Sequence, residues 1–512
     1  MTTTLQRTKY YLGYFSGKLI CISWIIFQIA IFSYNYNMLL HNDELSNTIA
    51  SLSHGFLMSR SSALLININF MLLFIFINKG VVSLICDIIS IHNYYHIAIV
   101  SSIIFFSIIH TLSHIFNFYN LTFNENDIGT LLKTPSSITG VLLIGLFIMI
   151  YVFSLRFIRT NVYELFMIMH YILCFGIFIC LLIHSLSCFF HTNQGACLEN
   201  TFWKFVIVPI VLFFLERLHR EYIGNKHTIF IHAKKHSPNC TEIELYKPHF
   251  EFKPGQWILL KCPEISRSQW HPFTITSNPI ENGKVQLFIK ERGEWTTQLA
   301  ELLLKNNVYK NNILLKISNP YGCSYNIISQ YRTVVLIAGG IGITSFVSLL
   351  KSLPCKLGHG NTNVYLKKVH LHWVCKNSYD FDCFIIELNK IKSRLDEYGN
   401  LLELNYYITA GLTAGLTAGL TAGLTAGLTA GLTAGLTGNT KVYKTNSIYP
   451  VSIDFINKRP DFDSIFEKLN KSHTDTNVKV ITCGSKKMTN DIYKIKNNYG
   501  NKFIIKNCDY FN

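Results

Sequence analysis

Six long apolar stretches near the start of the chain constrain its fold more than any other feature. They cover residues 17–36, 61–78, 97–117, 137–156, 165–187 and 203–218. Each is close to the roughly 20 apolar residues that a helix needs to cross a bilayer. Lysine and arginine gather in alternate connecting segments, as expected if the N-terminus and the C-terminal half face the cytosol. We therefore predict a six-helix membrane domain over residues 1–222.

The rest of the chain has two patterns that are typical of soluble domains. Short β-like runs such as TIFIHA and WILLKC predict an antiparallel β-barrel domain over residues 223–325. The later runs VVLIAGG, KKVHLHWVC and VKVITCG alternate with helical stretches and predict an α/β nucleotide-binding domain over residues 326–512. Seven TAGL units interrupt this domain at 409–436. A repeat of small residues cannot build a specific core, so we predict a flexible insertion without a catalytic role.

Charge and cysteine content narrow the possible partners. The formal net charge of +16 is compatible with nucleic acid binding, but no basic patch is interleaved with aromatic residues. Basic cytosolic loops facing anionic lipid and an anionic cofactor explain the charge better. The 14 cysteines form no CxxC pair, which argues against zinc. Asn120 lies in a predicted outer loop as a possible glycosylation site, and Cys188 and Cys197 lie in another as a possible disulfide.

Histidines in the third and fifth apolar stretches have equal spacing. His96 and His110 are 14 residues apart, and so are His170 and His184. On a helix this spacing leaves an offset of about 40° and a rise of about 21 Å, so each pair shares one face. Two such helices side by side offer two pairs at two depths, which is the geometry for two stacked bis-histidine haems. Hydrogen bonding between helices is the alternative, and we prefer it or a supporting role for His114, which has no matching partner.

The motifs of the second half resemble those of one family. Residues 270–279 are WHPFTITSNP, preceded by PGQWILLKCP and followed by FIKERGEWT. The chain resembles the catalytic, heavy-chain subunit of the NADPH oxidase family in the ferric reductase superfamily, over nearly its whole length apart from the repeat. The resemblance implies a ferredoxin-reductase-like module with FAD and NADPH, and two haem b groups in the membrane. It also implies that electrons pass from cytosolic NADPH to oxygen on the far side and form superoxide.

The resemblance assigns residues to FAD. The HPFT motif binds FAD in that family, where an aromatic ring packs on the flavin and small donors bond it. Lys290 stands where the family has an arginine, and lysine can neutralise the FAD pyrophosphate but cannot grip it with two hydrogen bonds. A following turn contacts phosphate in the family. The residues implied, besides Lys290, are His271, Pro272, Phe273, Thr274, Gly293, Trp295 and Thr296.

A second set of residues is implied for NADPH. The sequence AGGIGITSF follows the strand VVLI, and such glycines let a backbone approach a pyrophosphate at a helix N-terminus. Ser345 stands where the family has proline. Lys376 and Arg459 match basic positions near the adenosine 2′-phosphate and favour NADPH over NADH, although solvated surface charges are the alternative. The other residues implied are Gly339, Gly340, Gly342, Thr344, Cys483 and Gly484, with Phe511 or Tyr510 as an aromatic shield for the flavin.

The remaining implications concern oxygen and partners. Arg60 matches a family arginine at the outer end of the second stretch, where its charge would stabilise the forming anion; snorkelling is the alternative. The family also implies cytosolic activators, a small membrane subunit, and a plasma, endosomal or phagosomal membrane. Two rival functions stay open: a ferric-chelate reductase of the same superfamily, and a non-catalytic haem protein acting as a channel or scaffold.

Overall fold

A computed structural model describes most of the chain in two units. The described residues are 16–78, 93–124, 134–186, 201–225, 228–309, 313–322, 328, 330–358, 365–409, 440–443, 451–472, 477–499 and 502–507. One unit comprises the described residues up to Arg217, and the other comprises those from Leu218 onward. The predicted features at Cys188, Cys197, Tyr510 and Phe511, the repeat after Thr409, and the side chain of Asn120 lie outside the described part. The backbone at Asn120 is helical within Asn93–Asn124, so the predicted outer loop at this position is wrong: the helix continues past the apolar stretch.

The first unit is built from long helices. They are α1 (Ser16–Leu40), α2 (Ser46–Ile77), α3 (Asn93–Asn124), α4 (Pro135–Phe153), the short α5 (Arg156–Asn161), α6 (Tyr163–Leu186) and α7 (Phe202–Gly224). The start of α4 shows why a helix forms where it does. Thr134 precedes it, and its Oγ1 accepts a hydrogen bond from the Ser137 amide at 3.3 Å. Pro135 then occupies the first helical position, where its missing N–H costs nothing.

Four stretches of these helices are long and apolar enough to span a bilayer. They are His54–Ile77, Tyr95–Tyr119, Pro135–Phe153 and Tyr163–Leu186. They expose large apolar side chains such as Phe105 and Phe175, as a surface that faces lipid does. The chain is therefore an integral membrane protein. The described residues of α1 and α7 are not among these four stretches, so the count of six spans stays a prediction.

The membrane helices share one buried core, within which certain neighbouring pairs make the most extensive contacts. The most extensive contacts join α2 to α3 and α4 to α6. Leu65 of α2 and Ile99 and Ile103 of α3 are buried in the shared core. Gly55 of α2 lies directly against the side chain of Asn117 on α3, where a Cβ would collide with the asparagine. The histidine-bearing helices α3 and α6 are thus held by different partners.

The part of the second unit that precedes β7 (Thr333–Gly339), called the FAD-type module below, has two three-stranded antiparallel sheets. One has the order β1 (Ile229–Ser237), β2 (Cys240–Tyr246), β5 (Lys284–Lys290), and the other has the order β4 (His271–Thr274), β3 (Trp257–Lys261), β6 (Lys316–Ile317). A bridge between Ile275 and Leu287 links them, and α8 (Glu294–Tyr309) follows. Pro272 is tolerated because β4 is an edge strand, where a missing donor breaks no ladder. Closure into the predicted barrel stays a prediction.

The nucleotide-type module is an α/β domain, as predicted. Five parallel strands have the order β13 (Phe503–Asn507), β12 (Val478–Cys483), β7 (Thr333–Gly339), β8 (Lys368–Cys375) and β9 (Leu402–Ile408). The helices are α9 (Thr344–Gly358), α10 (Ile385–Asp396), α11 (Phe462–Ser472) and α12 (Lys486–Lys496), and β10 (Thr440–Tyr443) pairs with β11 (Val451–Asp454). The strand order reverses between β7 and β12, and open α/β sheets bind ligands at that point.

The last turn of α7 belongs to the second unit and is fastened to the FAD-type module. The buried Lys247 donates hydrogen bonds from Nζ to the carbonyl oxygens of Ile223 and Ile317, each at 3.0 Å. Its ammonium thereby satisfies one of the carbonyls left free at the helix end. Glu221 accepts hydrogen bonds from Lys261 Nζ and Trp270 Nε1, both at 2.9 Å. This turn is therefore held by charged hydrogen bonds as well as by the helix itself.

Candidate cofactor sites

Two predicted haem ligands face each other. The imidazole centroids of His110 on α3 and His184 on α6 lie 6.2 Å apart. An imidazole nitrogen binds a metal at about 2 Å and lies about 1 Å from its ring centre, so rings on opposite sides of one iron have centres about 6 Å apart. The separation of His110 and His184 fits one iron between them.

The other nitrogen of each ring is already engaged. His110 Nδ1 lies 3.0 Å from the carbonyl oxygen of Ser59, and His184 Nδ1 lies 3.0 Å from Thr139 Oγ1. Donation from Nδ1 fixes the tautomer that leaves Nε2 with a free lone pair, which is the usual support for a metal-binding histidine. Sequence reasoning missed Ser59 and Thr139, because a backbone carbonyl and a hydroxyl on neighbouring helices leave no spacing signal.

The second pair occupies the same two helices. His96 and His170 lie near each other. His170 Nδ1 is buried and has no hydrogen-bond partner in the described part of the chain. An unpaired buried ring nitrogen is costly unless a ligand engages the ring, so this histidine fits a metal-binding role. The assignment of this pair stays a prediction.

Two further side chains adjoin His110. His114 packs edge-on against it, with ring centroids 4.6 Å apart, and therefore lies beside His110 rather than opposite it. Arg60 follows Ser59 directly, and its guanidinium lies near His110 and His114. A positive charge thus adjoins the His110–His184 pair, where the resemblance implies oxygen reduction.

The HPFT motif and the GEWT turn come together in the FAD-type module. The ring of His271 stacks on Trp295 with centroids 3.9 Å apart, and Phe273 stacks on the same indole at 6.2 Å. Trp295 Nε1 is buried and has no hydrogen-bond partner among the described residues. Burial lowers the pKa of His271 to about 4, so its ring is neutral near pH 7. The site combines stacked aromatics with an unused donor, which fits an aromatic ligand such as flavin.

The turn before α8 has the form of an anion site. Thr296 Oγ1 accepts hydrogen bonds from the backbone amides of Arg292 and Gly293 at 3.0 and 3.2 Å. A Cβ at Gly293 would meet nothing within 4 Å, so the space in front of the turn is open. The N-terminus of a helix favours anions, and the exposed Arg292, which sequence reasoning missed, adds a charge.

Glycines bring the ends of β7 and β12 into direct contact. A Cβ at Gly339 would lie 3.2 Å from the Cα of Gly484, and one at Gly342 would lie 2.5 Å from the carbonyl oxygen of Cys483. Gly340 has a φ of +53° with open space beyond it. Trp373 Nε1 donates to the Gly340 carbonyl at 2.9 Å and holds this loop in place. The loop leads into α9, so its open backbone fits a pyrophosphate.

Ser345, the residue that departs from the family pattern, lies in the first turn of α9. Its Oγ is 3.3 Å from Cys483 Sγ, and both side chains are buried. Thr344 Oγ1 donates to the Ile341 carbonyl at 2.9 Å and supports the same turn. Serine therefore keeps the helix start intact and ties it to the cysteine at the end of β12.

The three basic residues predicted to contact cofactor phosphates lie in different surroundings. Lys290 Nζ lies 3.5 Å from Asp380 Oδ1, in a cleft that also includes Gly340 and Trp373. Lys290 thus contacts the nucleotide-type module as well as ending β5. Arg459 is 51% exposed and lies 3.7 Å from Asp491 Oδ2. Lys376 is exposed just after β8. The described structure does not bring Lys376 and Arg459 into a shared contact.

Three known families match the chain in succession. Residues 62–182 match "Ferric reductase like transmembrane component", residues 227–325 match "FAD-binding domain", and residues 331–497 match "Ferric reductase NAD binding domain". Together they cover about three quarters of the chain. In this order the chain is thus similar to a ferric-reductase-like membrane component, an FAD-binding domain and a ferric reductase NAD-binding domain.

The individual relatives that resemble the chain are NADPH oxidases. A heavy chain of the superoxide-generating NADPH oxidase of Dictyostelium discoideum is 29% identical over 376 residues, which are 70% of this chain and 66% of the relative. NADPH oxidase 1 of Mus musculus is 26% identical over 78% of this chain and 80% of its own length. NADPH oxidase 3 of Homo sapiens is 26% identical over 73% of this chain and 68% of its own length. Over roughly three quarters of its length the chain is therefore similar to NADPH oxidases, one of which is named as a heavy chain.

Solved structures give more distant matches. A ferredoxin NADP+ reductase from Neisseria gonorrhoeae covers 55% of this chain and 97% of its own, at 13% identity and a TM-score of 0.36. A flavohemoglobin from Malassezia yamatoensis covers 91% of this chain and 99% of its own, at 14% identity and a TM-score of 0.39. The similarity to NADPH oxidases rests on the sequence matches alone.

Proposed function

We propose that the chain transfers electrons across a membrane from NADPH, through FAD and two haems, to oxygen and thereby forms superoxide. The observation that carries the proposal is the His110–His184 pair, with ring centres 6.2 Å apart, in a chain that also has FAD-type and nucleotide-type modules. Bound FAD would take a hydride from NADPH and release its electrons singly, and the haems would relay them. The named relatives are NADPH oxidases, which supports oxygen as the acceptor.

The residues of the chain would hold and orient these groups. The stacked pair His271 and Trp295 would pack against the flavin, and the turn at Gly293 would face its phosphates. The loop from Gly339 to Gly342 would carry the NADPH pyrophosphate at the start of α9, opposite Cys483. At the other end of the path, the charge of Arg60 would favour the formation of an anion beside the His110–His184 pair.

The membrane topology, the membrane itself and the partner proteins are also proposed, from the resemblance to NADPH oxidases. Six spans and a cytosolic C-terminal half agree with the charge bias of the connecting segments. A plasma, endosomal or phagosomal membrane is proposed from the resemblance alone. Cytosolic activator proteins and a small membrane subunit would be its partners. The rival functions are reduction of a ferric chelate and a non-catalytic haem scaffold, and the relatives favour neither.

A difference spectrum tests the proposed function directly. Washed membranes that contain the chain are expected to show reduced low-spin haem when NADPH is added without oxygen, and to lose that signal with superoxide formation when oxygen enters. Haem that stays oxidised with NADPH would favour the scaffold. Reoxidation by ferric chelate much faster than by oxygen would favour the chelate reductase.

Cofactor preference gives a prediction for Arg459. Arg459→Ala is expected to raise the KM for NADPH about tenfold and to leave that for NADH unchanged, because a charged hydrogen bond to phosphate contributes roughly 1.5–3 kcal/mol and exposure reduces it. Lys376→Ala is expected to act in the same direction but more weakly, since an ammonium cannot bind the phosphate through two hydrogen bonds. Steady-state rates with both nucleotides measure these effects.

Arg394→Ala is the matched control for Arg459, because Arg394 is an exposed arginine of the same module on α10. It should change neither KM. If Arg459→Ala impairs the reaction with NADH and with NADPH equally, Arg459 stabilises the fold through its ion pair with Asp491 and does not bind the 2′-phosphate.

A further inference from the structure

A cluster of metal-ligating side chains lies on the β1–β2–β5 sheet, apart from the residues assigned to haem, FAD and NADPH. His232 on β1 pairs directly with Glu244 on β2, and Glu242 is two residues away on the same face. One ligand atom from each of His232, Glu242 and Glu244 lies within 4.8 Å of the others. Sequence spacing alone does not reveal this cluster, because strand register brings the histidine to the two carboxylates.

Neighbouring side chains orient the central carboxylate. Glu242 is 8% exposed, and its two oxygens accept hydrogen bonds from His236 Nε2 and Gln286 Nε2. Lys351 Nζ donates to Gln286 Oε1 at 2.6 Å and so turns the amide donor toward Glu242. Each carboxylate oxygen has two lone pairs, so one stays free for a further partner. Supporting hydrogen bonds of this kind are typical around metal-ligating carboxylates.

The other two side chains are accessible. The imidazole of His232 has no hydrogen-bond partner among the described residues, and it is half-buried, as is Glu244. Lys284 Nζ lies 3.3 Å from Glu244 Oε1, but it also lies 3.4 Å from Glu281 Oε2. The lysine can therefore keep one ion pair if Glu244 turns toward a cation.

We propose that His232, Glu242 and Glu244 bind a divalent zinc-like ion. One imidazole and two carboxylates form a ligand set that suits Zn²⁺ and leaves a fourth position for water. Ligand atoms of a tetrahedral zinc lie roughly 3–4 Å apart, so only small side-chain rotations are needed. The ion would neutralise two neighbouring carboxylates and clamp β1 to β2. Its expected effect is greater stability of the FAD-type module, with no part in electron transfer.

Zinc binding by the full chain in detergent, with haem and FAD bound, tests the proposal. After chelator treatment and removal of the chelator, equilibrium dialysis against ZnCl₂ should show one saturable zinc per chain. His232→Ala and Glu244→Gln should each weaken binding by about tenfold or more, the scale on which metal sites respond to lost support. Zinc should also raise the temperature at which the wild-type protein releases flavin.

Two matched controls keep the test specific. His249→Asn and Glu251→Gln alter an exposed histidine and an exposed carboxylate of the same module, and asparagine tolerates the positive φ of residue 249. Both should bind zinc as wild type does. Glu244→His should restore the binding that Glu244→Gln loses, because histidine is itself a zinc ligand, and a purely structural carboxylate would not show this rescue.

The proposal fails if wild type binds no more zinc than the His232→Ala/Glu244→Gln double variant. It also fails if Glu244→Gln binds as tightly as wild type. Either result would identify the cluster as a polar network that joins β1, β2 and β5. Retained haem and flavin absorbance in each variant shows that the fold persists.

Discussion

Replacing His110 with leucine is expected to remove the haem held by His110 and His184 and to abolish superoxide formation. Leucine fills similar space but offers no lone pair to iron, and the opposing His184 would be left as a single ligand. We expect the haem content of purified protein to fall by about half, since two bis-histidine haems are proposed. Pyridine haemochrome analysis measures the loss, and cytochrome c reduction measures superoxide.

The His110→Leu variant should retain the proposed transfer of electrons from NADPH to the flavin. His271, Trp295 and the glycine loop lie in the second unit, so NADPH should still reduce an artificial acceptor at the flavin. His184→Leu should behave alike, because the two histidines face each other. His114→Leu is the matched control on α3. Its ring lies beside His110 rather than opposite it, so both haems should remain. Full haem content in His110→Leu and His184→Leu would refute the assignment.

Gly342→Ala is expected to have the second largest effect, a loss of NADPH oxidation by roughly ten- to a hundredfold. Its Cβ would lie 2.5 Å from the carbonyl oxygen of Cys483, so either β12 or the loop before α9 must move. Overpacking of this kind costs about 1–3 kcal/mol, and here the shift falls where the backbone is proposed to approach a pyrophosphate. Stopped-flow reduction of bound flavin by NADPH measures the effect.

The haem path gives an internal control for Gly342→Ala. Dithionite should still reduce both haems fully, since the variant leaves α3 and α6 untouched. Gly145→Ala is the matched glycine control: a Cβ there meets nothing within 4 Å, so no loss is expected. Wild-type flavin reduction in Gly342→Ala would mean that the close approach of β7 and β12 does not shape the nucleotide site.

Sequence patterns predicted the membrane helices because helix formation and lipid burial depend on local composition. Each of the six apolar stretches falls on one of the long helices, and the bounds of stretch and helix differ only near the ends. Helices can extend into polar residues beyond the apolar stretch, and helix ends are the least sharply defined part of a helix. The parallel strands β7, β8 and β12 were likewise visible as buried runs rich in valine, leucine and isoleucine. Helix-period spacing also placed His96 and His110 on one face, and His170 and His184 on another.

Family motifs singled out His271, Phe273 and Trp295, which the structure brings together, but they did not predict the contacts among these side chains. Nothing in the letters HPFT and GEWT indicates that His271 stacks on Trp295. The resemblance implies that Lys290 neutralises the FAD pyrophosphate, which stays a prediction, but it gave no indication that the ammonium also lies 3.5 Å from Asp380 Oδ1. That ion pair depends on how two separately formed sheets meet, which no local pattern encodes.

What the sequence determined by itself is therefore what short-range geometry determines: which segments are apolar helices, which are buried strands, and which histidines share a helix face. Tertiary structure decided the contacts between elements. It set the 6.2 Å separation between the ring centres of His110 and His184, and it brought the Ser59 carbonyl oxygen within hydrogen-bond distance of His110 Nδ1. Strand register, in turn, put His232 opposite Glu244. The physical reason is that spacing within one helix or strand follows from a fixed rise and twist per residue. Contacts between elements depend instead on packing and register across the whole chain.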